Sequence, residues 1–249
     1  MKVSIITPVY NAERYICKTY ESIRDQTHID WEWLVTDDKS SDNTLAILKE
    51  LSKIDCRIRI YTNLENSGAA ISRNNSIKHA TGDFIAFIDS DDLWLPDKLE
   101  QQLKFMSNGI SFSFTAYELI DLNGNSLNRT VDSSHQGSFS YNDMLKKKAT
   151  LGCSTVMLRR ESFPEISMPL IRTGQDYALW LKLLKSGHNA HLLNTVLTKY
   201  RVLPNSISRN KVKKAIRQWE IYRKLENLDL INSSINFCFY AFRAIFRKL

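Results

Sequence analysis

The chain has 249 residues, 43% of them hydrophobic and 24% charged, with a formal net charge of +7. That is enough chain for one large buried core. No window approaches the roughly 18 apolar residues needed to span a bilayer, and Pro8, Asn11, Glu13 and Arg14 break up the N-terminus too early for a signal peptide.

In chain order, a strand starts at once over Val3–Ile6 and a helical stretch follows near Glu13–Asp25. A second strand covers Trp33–Val35. The loop Asp37–Asp42 offers several N-caps for a helix over Thr44–Ser52. Ile58–Tyr61 is a third strand, Asn66–Gly68 a turn, and Ala69–His79 a helix with Gly82 shortly beyond its end. Phe84–Ile88 is unbroken apolar sequence, as in a strand buried on both faces. This βαβαβαβ order implies a mostly parallel sheet with right-handed crossovers and ligands at the strands' carboxyl ends.

The fourth strand runs into Asp89, Asp91 and Asp92, three carboxylates within four positions. Such groups repel one another, and burying them unpaired is costly. A metal held together with a phosphate relieves that cost. The alternative is a solvated acidic turn in which Asp92 caps a helix over Pro96–Leu103. Beyond it, Ser111–Ile120 reads as a strand, Asp121–Asn125 as a turn, and the polar stretch 123–140 as a mobile loop. Ser154–Leu158 reads as a strand, and Asp176–Lys185 as a helix closed by Gly187.

Six fragments, in order, resemble the inverting family 2 glycosyltransferases. They are Ser4–Asn11, Ser22-Ile23-x-x-Gln26-Thr27, Asp37–Thr44, Asn66-Ser67-Gly68 with Ser72-Arg73-Asn74, Asp89-Ser90-Asp91-Asp92, and Gly174–Trp180. The resemblance covers roughly residues 3–208. It implies an α/β GT-A-type, Rossmann-like fold with a nucleotide-binding half (1–105), an acceptor-binding half (106–208) and a helical basic extension (209–249). It also implies a UDP-sugar donor whose diphosphate leaving group is neutralised by Mn²⁺ or Mg²⁺.

Carried over position by position, Asp91 is the metal ligand, and Asp89 contacts the ribose or the metal. Asp38, with Asp37 as the alternative, accepts the uracil N3–H. Thr7, Pro8, Val9 and Tyr10 form the nucleotide wall, with Tyr10 packing on the base, and Arg73 faces the nucleotide. Asp176 is the general base that inversion requires. Trp180 is placed either in the acceptor pocket or in the core. The late segment Tyr200–Ser208 also matches, with Arg201 as a candidate diphosphate contact. Departures are Lys39 and Asn43 in place of glycines, Gln175 in place of Glu, and Leu203 in place of His.

The resemblance is nearest to bacterial enzymes that build O-antigen or capsule repeats. It implies transfer of galactose or glucose, with a β-linkage, to a GlcNAc-bearing undecaprenyl-diphosphate acceptor. The chain has no Gln-x-x-Arg-Trp motif, so it is expected to add one sugar per encounter. A sugar-nucleotide pyrophosphorylase is a second reading, weakened by the lack of a Gly-rich phosphate loop. A non-catalytic binding module is a third, weakened by Asp91 and Asp176.

Residues 209–249 hold ten Lys and Arg against three acids, whereas residues 1–208 carry 24 of each sign. Ile235, Cys238, Phe239, Phe242, Ile245, Phe246 and Leu249 share one helical face. Such a helix lies on an anionic membrane or packs on its own domain or a second subunit. No motif for nucleic acid accompanies the charge. Cys17, Cys56, Cys153 and Cys238 lie far apart, as free thiols in a reducing compartment. The expected location is therefore cytoplasmic, on the inner face of the membrane.

Overall fold

The apolar run that ends in the aspartates lies in the middle of a sheet. Phe84, Ala86 and Ile88 pack with Val3, Ile5 and Trp33 on one face, while Ile85 and Phe87 pack with Ile6, Leu34 and Trp180 on the other. The computed structural model describes residues 1–203 and 211–246.

The first four strands are β1 (Val3–Val9), β2 (Trp31–Asp37), β3 (Ile58–Thr62) and β4 (Phe84–Phe87). They pair in parallel in the order β3-β2-β1-β4. The crossovers are α1 (Ile16–Arg24), α2 (Thr44–Ile54) and α3 (Ala69–Lys78). These first four strands are thus parallel, as expected.

Beyond β4 the sheet becomes mixed. Next come β5 (Leu93–Trp94), α4 (Lys98–Met106), β6 (Phe112–Ile120), β7 (Ser126–Val131) and β8 (Ser138–Phe139). They are followed by α5 (Tyr141–Leu145), β9 (Met157–Arg159), α6 (Gln175–Lys185) and β10 (Ala190–Arg201). The full path is β3-β2-β1-β4-β9-β6-β10-β5, with β7 on β6 and β8 on β10. Short β9 runs antiparallel between β4 and β6 and joins the four parallel strands to the rest of the sheet.

Three expectations change. The stretch 123–140 is not simply a loop, because β7 and β8 lie within it. Most of β7 is exposed, and so its sequence is polar. Residues 153–155 form a 3₁₀ turn ahead of β9 rather than a strand. The long strand β10 was not expected at all, and two register shifts between Leu193 and Thr198 interrupt its alternation.

At the amino ends of β1 and β2, Glu32 is buried among Lys2 Nζ (3.0 Å), Ser4 Oγ (2.6 Å), Thr81 N (2.7 Å) and Thr81 Oγ1 (2.9 Å). Burial acts to raise its pKa. The bonds from Ser4, Thr81 and Lys2 outweigh burial and hold the carboxyl at about 2. A depressed carboxyl stabilises the fold fully above its unfolded pKa of 4.5, and the contribution is lost as pH falls through about 2. Glu32→Gln is expected to cost on the order of 2–3 kcal/mol at pH 7. In urea titrations, its deficit against the wild type should shrink as pH drops from 5 to 2.

The C-terminal extension forms α7 (Lys211–Glu220), a π-helical turn at Ile221–Leu225, and α8 (Leu230–Phe246). The expected boundary at 208 and the matched residues Pro204–Ser208 lie outside the described residues, as do Arg247, Leu249 and the side chains of Ile245 and Phe246. Packing carries past that boundary, because Ile221 and Tyr222 are buried in the same core as Trp180. On α8 the inward residues include Ser233 and Asn236, while Ile231, Ile235, Phe239 and Phe242 are exposed. The expected apolar stripe therefore faces outward. No helix of the described residues is long and apolar enough to cross a membrane.

Candidate active site

At the carboxyl ends of β1, β2 and β4 an open cleft of about 230 Å³ is lined by Pro8, Val9, Tyr10, Asp38, Ala69, Ser72, Arg73, Asp89, Ser90 and Asp91. Its wall comes from the end of β1, and its opposite side from the first turns of α3. A parallel sheet leaves such a crevice where the crossovers depart.

Asp38 follows β2 and organises the entry to α3. Its Oδ1 accepts from Asn63 Nδ2 and Ser67 N, both at 2.8 Å, and its Oδ2 from Gly68 N at 2.7 Å. Gly68 has φ +90°, which a side chain would strain. Asp38 lines the cleft, and its Oδ2 keeps acceptor capacity beyond the bond from Gly68. Asp37 does not line the cleft; its Oδ2 accepts from Ser40 N at 3.1 Å.

Arg73 reaches the cleft from α3 and is only 5% exposed. One Nη donates to Asp89 Oδ1, while Nε and the other Nη have no protein partner. Burial opposes its charge, but Cys153, Asp89 and Asp176 outweigh burial and hold the proton. A buried cation with spare donors beside an open cleft suits an anionic ligand.

Asp91 is pushed up to about 6, first by burial and then by Asp89. That crowding is what a divalent cation relieves. Two adjacent carboxylates are also what a Mg²⁺-type ion commonly takes from a protein, with substrate phosphates and water completing its shell. Asp89 and Asp91 therefore fit the implied metal as its holders. Among the described residues no group of three or more His, Cys, Asp or Glu gathers as a metal cage.

Asp92 does not cap α4. It is fully buried, accepting from Ser154 Oγ at 2.5 Å and from Arg201 N at 2.8 Å. Burial, then Asp91 and Asp89, push its pKa well up. Ser154 Oγ also accepts from Asp89 N at 3.1 Å. Since β9 lies antiparallel to β4, the turn before β9 runs past the aspartates, and that brings Ser154 there.

Arg201 is likewise turned away from the expected diphosphate contact. Its guanidinium donates to the carbonyls of Asp91 (2.8 Å), Asp121 (2.9 Å) and Leu122 (3.1 Å). Arg201→Ala leaves these carbonyls without that donor. It is expected to destabilise the fold by roughly 3 kcal/mol in urea denaturation.

Thr7 is not part of the cleft wall; its buried hydroxyl accepts from Trp33 Nε1 at 2.8 Å. Trp180 is core, edge-on to Phe87 and Phe112 with centroids 5.4 Å away in each case. Asp176 stands half-buried in the first turn of α6, close enough to act electrostatically on Arg73 and Cys153. Ala69, Ser72 and Ser90 also line the cleft and Ser154 holds Asp92, roles for which these residues carry no chemical signal of their own in the sequence.

A cleft at the carboxyl ends of parallel strands, holding a buried arginine and flanked by a paired-aspartate loop, has the form of a site for an anionic ligand. The sequence model described as Glycosyl transferase family 2 matches residues 4–167. The chain belongs to that family and is a glycosyltransferase. It is 45% identical over 248 residues to TuaG of Bacillus subtilis, a glycosyltransferase named for teichuronic acid biosynthesis, covering 99% of this chain and 97% of that protein.

It is also 43% identical to WfgD of Escherichia coli, named as a UDP-Glc:α-D-GlcNAc-diphosphoundecaprenol β-1,3-glucosyltransferase. That match covers 88% of this chain and 84% of WfgD. Among solved structures, TarS of S. aureus (residues 1–349) with UDP matches with a TM-score of 0.71 at 20% identity, covering 98% of this chain and 71% of that one. The mannosyltransferase PcManGT of Pyrobaculum calidifontis, with GDP-Man and Mn²⁺, matches at 0.70 and 17% identity, covering 96% and 69%. These likenesses establish the GT-A-type fold.

Proposed function

We propose that the chain transfers a hexose, glucose in preference to galactose, from a UDP-sugar to a GlcNAc unit on undecaprenyl diphosphate, with inversion to a β-linkage. The product is a repeat unit of a bacterial surface polysaccharide. The observation that carries the reading is the cleft itself. It brings Pro8, Val9, Tyr10, Asp38, Arg73, Asp89 and Asp91 together, with Asp176 near enough to act electrostatically on Arg73. The likeness to WfgD over most of both chains supports the donor and acceptor class.

Tyr10, about half exposed at the cleft, offers a stacking face to the base, and Asp38 an acceptor for its N–H. Arg73, with spare donors, binds the donor's anionic groups. A divalent ion held by Asp89 and Asp91 would neutralise the diphosphate as it leaves. Asp176 takes the proton of the acceptor hydroxyl while that oxygen attacks the anomeric carbon opposite the leaving diphosphate. One bond forms as the other breaks, so the configuration inverts.

A lipid-linked acceptor is met at a membrane surface. The outward apolar face of α8 and the basic excess of residues 209–249 suit an anionic bilayer. Ile231→Glu with Phe239→Glu is expected to weaken binding to phosphatidylglycerol vesicles at least roughly tenfold in co-sedimentation. Unchanged binding would remove the membrane role.

The whole reading is tested by incubating the enzyme with Mn²⁺, a panel of sugar nucleotides and a lipid-diphosphate-GlcNAc analogue. A β-linked disaccharide product from UDP-glucose is expected. Turnover only with a non-uridine donor, or an α-linked product, would overturn it.

A further inference from the structure

We propose that the C-terminal extension is part of the catalytic unit, and that Arg217 on α7 is a positioning residue for the loop that presents Asp176. The inference rests on the reading of Asp176 as the general base.

The helix α6 begins without a side-chain N-cap, at Gly174 in the left-handed region with φ +75°. No side chain of its own caps that first turn. It is held instead from the extension. Arg217 Nη1 donates to both the carbonyl and the hydroxyl of Thr173, the residue before Gly174. A Cβ at position 174 would lie 3.3 Å from Ile221 Cδ1 and 3.7 Å from Arg217 Cγ, so the loop is seated directly on α7 and the π-helical turn. Arg217 is itself steadied by Glu220, 3.7 Å from its Nε.

The extension grips the other end of α6 too. Lys185, its last residue, pairs with Glu226 at 3.3 Å, and Glu226 also accepts from Tyr141 OH at 2.7 Å. Between these points Ile221 and Tyr222 are sunk into the core that holds Trp180, and Tyr222 OH donates to Leu145 O at 2.5 Å. Tyr177, which follows Asp176, donates to the neighbouring carbonyl of Met144 at 2.9 Å. The catalytic helix is thus braced at both ends by residues 217–226.

Arg217 does not line the nucleotide cleft. Its loss should therefore leave donor binding intact and misplace the base, and a displacement near 1 Å costs about 10²-fold in rate.

The test is steady-state kinetics of the full chain with Arg217→Ala and Arg217→Lys, each in the wild type and in Asp176→Asn. Arg217→Ala is expected to lower kcat roughly 10- to 100-fold with the donor KM within about twofold. Arg217→Lys, which keeps a cationic donor, should recover part of the loss. In the Asp176→Asn background, Arg217→Ala should remove less than about twofold of the residual turnover, because the two residues act as one unit.

Should Arg217→Ala fail to fold, Thr173→Val removes the hydroxyl acceptor alone and carries the same comparison. An unimpaired kcat, or the same fold-loss in both backgrounds, would overturn the proposal. A dead Asp176→Asn enzyme beside an unimpaired Arg217→Ala enzyme removes only the role of Arg217. An Asp176→Asn enzyme that turns over normally removes the base reading and this proposal with it.

Discussion

Asp91→Asn is expected to slow sugar transfer at least about 10³-fold while making the metal-free protein more stable. The first effect follows from the leaving group. A nucleotide diphosphate would depart with accumulating negative charge, and a divalent ion held by Asp89 and Asp91 would stabilise that charge by several kcal/mol, where about 4 kcal/mol corresponds to 10³ in rate. Asparagine has nearly the same shape but cannot supply the anionic oxygen.

The second effect follows from the crowding of Asp89, Asp91 and Asp92. Burial and Asp89 raise the Asp91 carboxyl to about 6. A carboxyl with a raised pKa costs nothing while protonated below 3.8, and its penalty is complete above about 6. At pH 7 the asparagine variant avoids that penalty. The gain is roughly 1–2 kcal/mol once partial exposure is allowed for. Thermal melts without metal read the stability, UDP release reads the rate, and Mn²⁺ titration with UDP present reads the binding. A variant that keeps wild-type turnover would remove Asp91 from the site.

Asp176→Asn is the second large effect, a loss of 10² to 10⁴ in kcat with the donor KM nearly unchanged. Asp176 is not among the cleft-lining residues, so its substitution leaves the donor's contacts in place. An amide could not take the acceptor's proton, the part proposed for the carboxylate. Measuring kcat and donor KM separately decides the matter. A rise in donor KM with kcat preserved would make Asp176 a binding residue, and full activity would exclude it as the base.

Much of this site is legible in the chain because its parts are local. An apolar run buried on both faces and then two aspartates is enough to mark the carboxyl end of a central strand. The repeated strand–helix order implies the crevice beside it. Pro8, Val9, Tyr10, Asp38, Arg73, Asp89 and Asp91 do line one cleft. Thr7 does not, because its hydroxyl accepts the Trp33 indole N–H inside the fold.

Other assignments depended on partners far away in sequence. Asp92 looked free to cap a helix or bind a ligand, yet Ser154, 62 residues on, and the Arg201 backbone, 109 residues on, hold it inside. The same packing turns Arg201 toward backbone carbonyls instead of phosphate. The extension looked like an appendage because its composition changes near 208, but Ile221 and Tyr222 complete the main core.

The sequence by itself determined the parallel first four strands, the acidic loop and the amphipathic tail, since periodicity and residue chemistry act over a few neighbours. Only the tertiary structure decided which carboxylates face the cleft, which way the tail's apolar stripe points, and what braces α6. Those depend on which distant segments the topology brings together, and no local pattern encodes that.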